Sequence, residues 1–278
     1  MAYDFSSWVD RLKSVLKVSG KRLMKLILLG FAVPWFGGLV LVAAVFGIGL
    51  YALIGDGHGM SPAATVLLVV VIGLLYVGIL LSAGYLSAVV GLAAARTIAN
   101  DATGRPIALL EAYKSALRPG WPTLGWTLLA GLVAMIGSVF CYLPGIYLSF
   151  VLSLIVPVMA FEGRQGFTRS IRLMHSNFWP AVGRVAALVG VAAGFVLVVE
   201  LLMFAVMIPL NAMVVEGNSA MGALVMVVSG VLFLVLIILA AVFGQVVTLC
   251  GTVVTYVELR AREQPGLNTS RLAAEANA

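Results

Sequence analysis

The sequence predicts an all-α polytopic membrane protein with six transmembrane helices arranged as three hairpins, each preceded by a cytoplasmic amphipathic interfacial helix. Three observations predict it. Of the 278 residues, 62% are hydrophobic and only 10% charged, whereas soluble domains carry roughly 25% charged residues; mean hydropathy is +1.12. Six apolar stretches reach or approach the roughly 20 residues that a helix needs to cross a hydrocarbon core of about 30 Å. All 17 Lys and Arg residues fall on one side of those stretches.

The stretches run over about 26–54, 63–95, 123–139, 145–161, 185–210 and 221–256, within a transmembrane domain at 26–260. The third and fourth are the shortest and are joined by a tight turn at 141–144. A re-entrant hairpin there would remove two crossings together and leave every later segment oriented as before. Lys and Arg occupy the N-terminal segment, the loops after the second and fourth stretches, and the tail. The loops at 56–61, 141–144 and 211–220 carry none. The positive-inside rule then puts both termini in the cytoplasm. The first apolar run starts too late and runs too long for a cleavable signal peptide.

A net charge of +6 raises nucleic acid as a partner, but no basic run is interleaved with aromatics as base stacking would need. In so apolar a chain the charge belongs to loops facing anionic head groups. Membrane lipids are the expected partners, with a membrane-protein partner or a homo-oligomer beside them, and no nucleic acid. Cys141 and Cys250 fall in opposite leaflets, too far apart to bridge. His58 and His175 fall on opposite sides and cannot share a metal.

Each amphipathic segment has its own signature. In residues 1–25, Phe5, Trp8, Val9, Leu12, Val15 and Leu16 recur at helical spacing, with Asp4 as N-cap and Gly20 as the stop. A basic helix of this kind lies in the head-group plane, with Trp8, Arg11, Lys13, Lys17, Lys21 and Arg22 as lipid head-group contacts. Shorter versions use Ile107, Leu110, Tyr113 or Lys114, and Leu117, then Phe167, Ile171, Met174 and Phe178. Both end in Trp-Pro, at Trp121-Pro122 and Trp179-Pro180, a first-turn signal. Residues 261–278 read as a flexible cytoplasmic tail.

Small and polar residues inside the spans are few. Rows of small residues mark helix contacts in lipid: Ala240, Gly244, Thr248 and Thr252; Ser87, Gly91 and Ala95; Gly190 and Gly194. Intramolecular packing is their ordinary role, and homodimerisation the other. Glu200 is the acid deepest in a span. A charge at that depth costs at least about 2.5–3.5 kcal/mol, so a protonated Glu200 bonded to Tyr76, Ser149 or Ser153 is one reading. A proton or cation site, or a contact for a polar ligand, is the other. Gln245, Thr248, Thr252 and Tyr256 form a polar stripe, although threonines commonly bond back to their own helix. Pro34 and Pro209 can bend a helix, and Pro157 is the better candidate for a break.

No Walker loop, H-E-x-x-H, G-x-S-x-G or Cys/His cluster is present, so no catalytic residue, metal or cofactor is assigned. The acids Asp101, Glu111 and Glu162 read as partners in local ion pairs, and His175 as a surface residue.

Two stretches carry a resemblance: Arg169-Ser170 with Leu173 and Asn177-Phe178-Trp179, and Tyr256-Val257-Glu258-Leu259-Arg260-Ala261-Arg262-Glu263. With Arg96 closing the second span, they resemble the six-helix membrane proteins grouped with the membrane domain of bacterial glycerophosphoryl diester phosphodiesterases and with YciC-like proteins. The tail departs from that pattern at Arg262-Glu263-Gln264-Pro265-Gly266, and the phosphodiesterase catalytic domain is missing, so its activity does not carry over. The resemblance implies a bacterial inner-membrane bundle without assigned active-site residues. The expected function is a non-enzymatic accessory, assembly or envelope-maintenance component. The alternatives are a small transporter or channel using the Glu200 region, and a lipid-handling protein.

Overall fold

The computed structural model describes residues 5–54, 61–140, 142–163, 166–216, 219–264 and 266–277. Among them run nine helices and no strand: α1 (Phe5–Ile54), α2 (Pro62–Ala102), α3 (Leu109–Phe140), α4 (Tyr142–Leu152), α5 (Ile155–Glu162), α6 (Gly166–Ser176), α7 (Phe178–Glu216), α8 (Ser219–Glu263) and α9 (Thr269–Asn277). Five stretches in the described residues are long and apolar enough to cross a membrane: Val66–Ala102, Leu109–Val139, Leu143–Glu162, Phe178–Ile208 and Val228–Glu263. Helices of this length and apolarity mark a multi-pass membrane protein. The first expected span, 26–54, falls in α1, many of whose side chains beyond Phe31 lie outside the described residues. The expected N-cap Asp4, the 56–60 loop with His58, Cys141 and Arg164 lie outside them too.

Several local expectations change. Gly20 does not stop a helix, because α1 is continuous over 50 residues. A helical glycine costs only about 1 kcal/mol, less than the burial of Leu23, Leu26 and Ile27 just beyond it returns at about 1.5–3 kcal/mol each. The first amphipathic segment therefore prolongs the span instead of lying apart from it. The second does the same, since α3 runs on through Pro119 and Pro122. There α2 braces the helix: the Tyr85 hydroxyl donates to the Leu117 carbonyl at 2.9 Å. Only the third amphipathic segment is a separate helix, α6.

The tail expected to be flexible folds as α9. Asn268 caps it, its Oδ1 accepting from the Arg271 backbone N–H at 2.9 Å, and Leu272, Ala273 and Ala276 are buried against the bundle. Nine residues are too few for a helix to stand alone in water, so docking creates it. The expected fourth span is broken between α4 and α5, at Ser153–Leu154. Pro157 lacks an N–H for the Ser153 carbonyl, and Ser170 of α6 donates instead to the nearby Val151 carbonyl at 2.7 Å.

Within the bundle α1 packs between α2 and α8, with α3 against α2 and α7 against α8. Two glycines allow these approaches: a Cβ on Gly30 would run into Val90, and one on Gly251 into Leu188. Of the small-residue rows, Gly91 meets Val156 and Gly244 meets Ala192, whereas Gly190 and Gly194 face open space. Burial is uneven along the axis. Trp8, Leu92, Tyr256 and Leu259 pack tightly where α1 begins and α2 and α8 end, whereas the distant halves of α2, α7 and α8 turn large apolar side chains outward. Lipid supplies no hydrophobic drive between helices, so those faces need no protein cover.

Candidate functional site

The tightly packed end is also the charged end, and the last turns of α8 are its hub. Residues three and four apart share a helix face, so Thr255, Glu258 and Arg262 line one side while Tyr256, Arg260 and Glu263 line another. On the first side, Trp8 donates its indole Nε1–H to Thr255 Oγ1 at 3.2 Å. Glu258 sits between two guanidiniums, Arg11 at 2.9 Å and Arg184 at 2.6 Å. Both Glu258 and Arg184 are only 2% exposed. Arg262 donates to the Asn177 side-chain oxygen at the junction of α6 and α7.

On the second side, the Tyr256 ring stacks on Phe161, with centroids 5.3 Å apart, and its hydroxyl donates to Glu162 at 2.9 Å. Arg260 donates to the Tyr256 hydroxyl at 3.1 Å and to Glu275 of α9 at 2.5 Å. Arg169 reaches Glu162 at 2.8 Å and Glu263 at 2.7 Å. Burial on its own would lower the Arg169 pKa, but hydrogen bonds and attraction from the two carboxylates raise it above the ordinary arginine value. Arg169 therefore stays charged through any accessible pH. A second clasp joins α1 to α2: Asp101 accepts from Ser19 at 2.8 Å and from Arg22, which also donates to the Ile107 carbonyl.

The buried cations are arginines and none is a lysine. Guanidiniums, weakly hydrated and able to bond several acceptors in a plane, take every buried or half-buried cationic position among the described residues, namely Arg22, Arg96, Arg169, Arg184, Arg260 and Arg262, while Arg11, Arg105, Arg118, Arg172 and Arg271 are exposed. Lys17, Lys21, Lys25 and Lys114 are exposed, and Lys13 meets Asp10 at 3.9 Å. What the arrangement does chemically is fasten: α8 is tied to α1, α5, α6, α7 and α9.

The predicted site residues fare differently. Glu200 is exposed on α7. Tyr76 is 54% exposed on α2. Ser149 donates to its own helix at Gly145, and Ser153 to Phe150. The structure does not bring these four together. In the stripe, Thr248 bonds back to Gly244 at 2.8 Å and Thr252 to Thr248 at 2.9 Å. Gln245 is half-buried beside them, while Tyr256 belongs to the hub. Of the expected head-group contacts, Trp8 is buried and Arg11 and Arg22 are engaged internally, because α1 packs on α8 and α2. Lys13, Lys17 and Lys21 remain on the surface.

Of the acids read as local partners, Glu162 does pair with the nearby Arg169 and also accepts from the distant Tyr256, whereas Asp101 meets the distant Arg22. Glu258, Arg184 and Glu275 have no site role in the sequence reading. A cue was available in Glu258 itself, an acid only two residues past a span's expected end. His175 is exposed; its Nδ1–H donates to Ile171 at 2.8 Å and Nε2 accepts from the Tyr147 hydroxyl at 2.5 Å. Compared with family models, curated proteins and solved structures, the chain finds no match in any of the three.

Proposed function

We propose that this chain is a non-enzymatic membrane bundle of a bacterial cytoplasmic membrane, both termini cytoplasmic, acting through lipid or protein partners as an accessory, assembly or envelope-maintenance component. The exposure of all five lysines beside a clasped, arginine-lined interior carries the reading. Internal clasps hold the charged end as a fixed platform, and lysines spaced by four on α1, at Lys17, Lys21 and Lys25, are left to face a partner. The orientation draws support from the starts of α1 and α7 and the ends of α2, α5 and α8 meeting at that one end. Six crossings and four crossings both return the C-terminus to it. The resemblance to YciC-like six-helix proteins sits on the hub residues, among them Arg169, Asn177, Tyr256 and Glu258.

The test is lipid retention. In nanodiscs mixing phosphatidylglycerol and phosphatidylcholine, native mass spectrometry should find phosphatidylglycerol held preferentially. A K17A/K21A/K25A variant should lose most of that preference while melting as the wild type does. Equal preference in the two would remove the platform as a lipid-contact surface.

One observation favours the lipid-handling alternative. A cavity of ≈ 220 Å³ opens between α1, α2, α8 and α9, walled by Ile98, Val253, Val257 and Leu272 with Arg11, Ser14 and Glu258 at one side. An aliphatic chain suits that lining, and Arg11, shared with Glu258, is the cation that an anionic head would meet. Ala99→Trp, which fills the cavity, should abolish retention of a short-chain phosphatidic acid on this reading and leave it untouched on the first.

A further inference from the structure

We infer that the α3–α4 hairpin does not cross the membrane: it is a re-entrant anchor that enters and leaves the leaflet at the charged end, its apolar tip among that leaflet's acyl chains. The inference rests on the membrane reading alone and is independent of any partner.

The geometry begins with α6. Arg169 near its start reaches Glu263, and Asn177 just past its end accepts from Arg262. Positions about 12 Å apart along α6 thus meet adjacent residues of α8, so α6 lies across the end of α8. Next, α4 runs along α6 in the opposite direction, with Ser170 on Val151 at 2.7 Å and His175 on Tyr147 at 2.5 Å. It therefore lies across that end as well.

The middle of α4 and the end of α5 are both held at the charged end. Glu162 accepts from Tyr256, and the Tyr147 ring lies 5.8 Å from that of Phe178. Phe178 precedes Arg184, the partner of Glu258, by less than two helical turns. From Tyr147 to Leu143 at the tip is only about 6 Å of helix, whereas the far side of a hydrocarbon core is about 30 Å away. The tip cannot reach it.

Water is no better a place for the tip. Residues 119–161 contain no Asp, Glu, Lys, Arg or His. Val139 is 81% exposed and Leu143 73%, with Met135, Ile136 and Ile146 also outward. The outward sides of α2 and α7 are likewise apolar. Trp121 and Trp179, both largely exposed, mark the head-group level where indole rings concentrate. Acyl chains of the near leaflet are the occupant that this chemistry fits.

The test uses single cysteines at Gly59, Gly104, Leu143 and, as a second tip reporter, Val139, in a C141S/C250S background whose monodisperse elution checks folding. A membrane-impermeant maleimide is applied to spheroplasts and to inverted vesicles. A bimane at 143 or 139 is then tested against lipids carrying nitroxides high or low on the acyl chain. Expected are outside labelling at 59, inside labelling at 104, no outside labelling at 143 or 139, and several-fold stronger bimane quenching by the lipid nitroxides than at 104. Outside labelling at 143 or 139 would establish a full crossing and overturn the anchor. Unquenched bimane with free inside labelling would put the tip in water and overturn it equally. If labelling at 59 and 104 exchanges sides, the orientation fails, while the tip is still judged by whether it shares the side of 104.

Discussion

Removing the Glu258 carboxylate should unfold the charged end more effectively than any other single change. The side chain is 2% exposed, as is Arg184, so Glu258→Ala leaves a guanidinium buried without its counter-charge. Breaking a buried pair from one side costs about 3–5 kcal/mol. Arg11 adds little, because its side chain is 46% exposed and water replaces the lost partner; exposed pairs contribute about 0–1 kcal/mol. At roughly 2–4 °C per kcal/mol for chains of a few hundred residues, the melting temperature should fall by on the order of 10 °C. Tryptophan fluorescence in nanodiscs reads this directly, since Trp8 reports on the same helix face. Glu258→Gln, which can still accept a hydrogen bond, should fall less. Exchanging both partners for apolar residues, R184M/E258M, should recover most of the loss, because a buried pair replaced as a unit is often neutral. The reasoning fails if E258A melts within about 2 °C of wild type, or if the double variant is no better than the single one.

Other perturbations probe separate joints. Tyr256→Phe removes the hydroxyl that bridges Arg260 and Glu162 and should cost about 1–3 kcal/mol, measured in the same melts, with the ring stack on Phe161 intact. Leu272→Asp places a charge where Leu272 is buried; hydrogen exchange should show α9 losing protection while α7 keeps its own. Gly30→Leu forces a side chain into Val90 and should destabilise by about 1–3 kcal/mol, whereas Gly190→Leu, facing open space, should melt as wild type. Glu200→Gln should change the melting temperature by less than about 2 °C, since Glu200 is exposed and has no hydrogen bond or ion pair among the described residues; a large shift would show that it is buried in an assembly.

The helical class was legible because hydropathy and the length a bilayer demands are both properties of the chain itself. The amphipathic faces were legible too: Trp8 and Leu12 fall on the buried side of α1, although the surface they cover is α8 and not lipid. Where the reading went astray, a local signal was outweighed by a distant one. Gly20 looks like a helix stop until Leu23 and Ile27 find α2; the tail looks flexible until Leu272 and Ala276 find the bundle. Glu200 stood out because charge in a span is conspicuous. Glu258 did not, because its partners Arg11 and Arg184 are far away in sequence and nothing local pairs them.

The hub explains why so much polar chemistry is gathered in one short segment. Between apolar helices in lipid, packing supplies contact without much choice of register, since a leucine gains little by leaving lipid for another leucine. A guanidinium bound to two acceptors is directional and tolerates no slip. The last turns of α8 therefore set the positions of five helices: Thr255 that of α1, Glu258 that of α7, Tyr256 that of α5, Arg262 and Glu263 that of α6, and Arg260 that of α9. Sliding α8 by one residue would turn each of these groups by about 100° and break all five joints together. A hydrophobic seam of the same length would merely repack. On this argument the buried and half-buried arginines specify the assembly of the bundle, and the exposed lysines take no part in it.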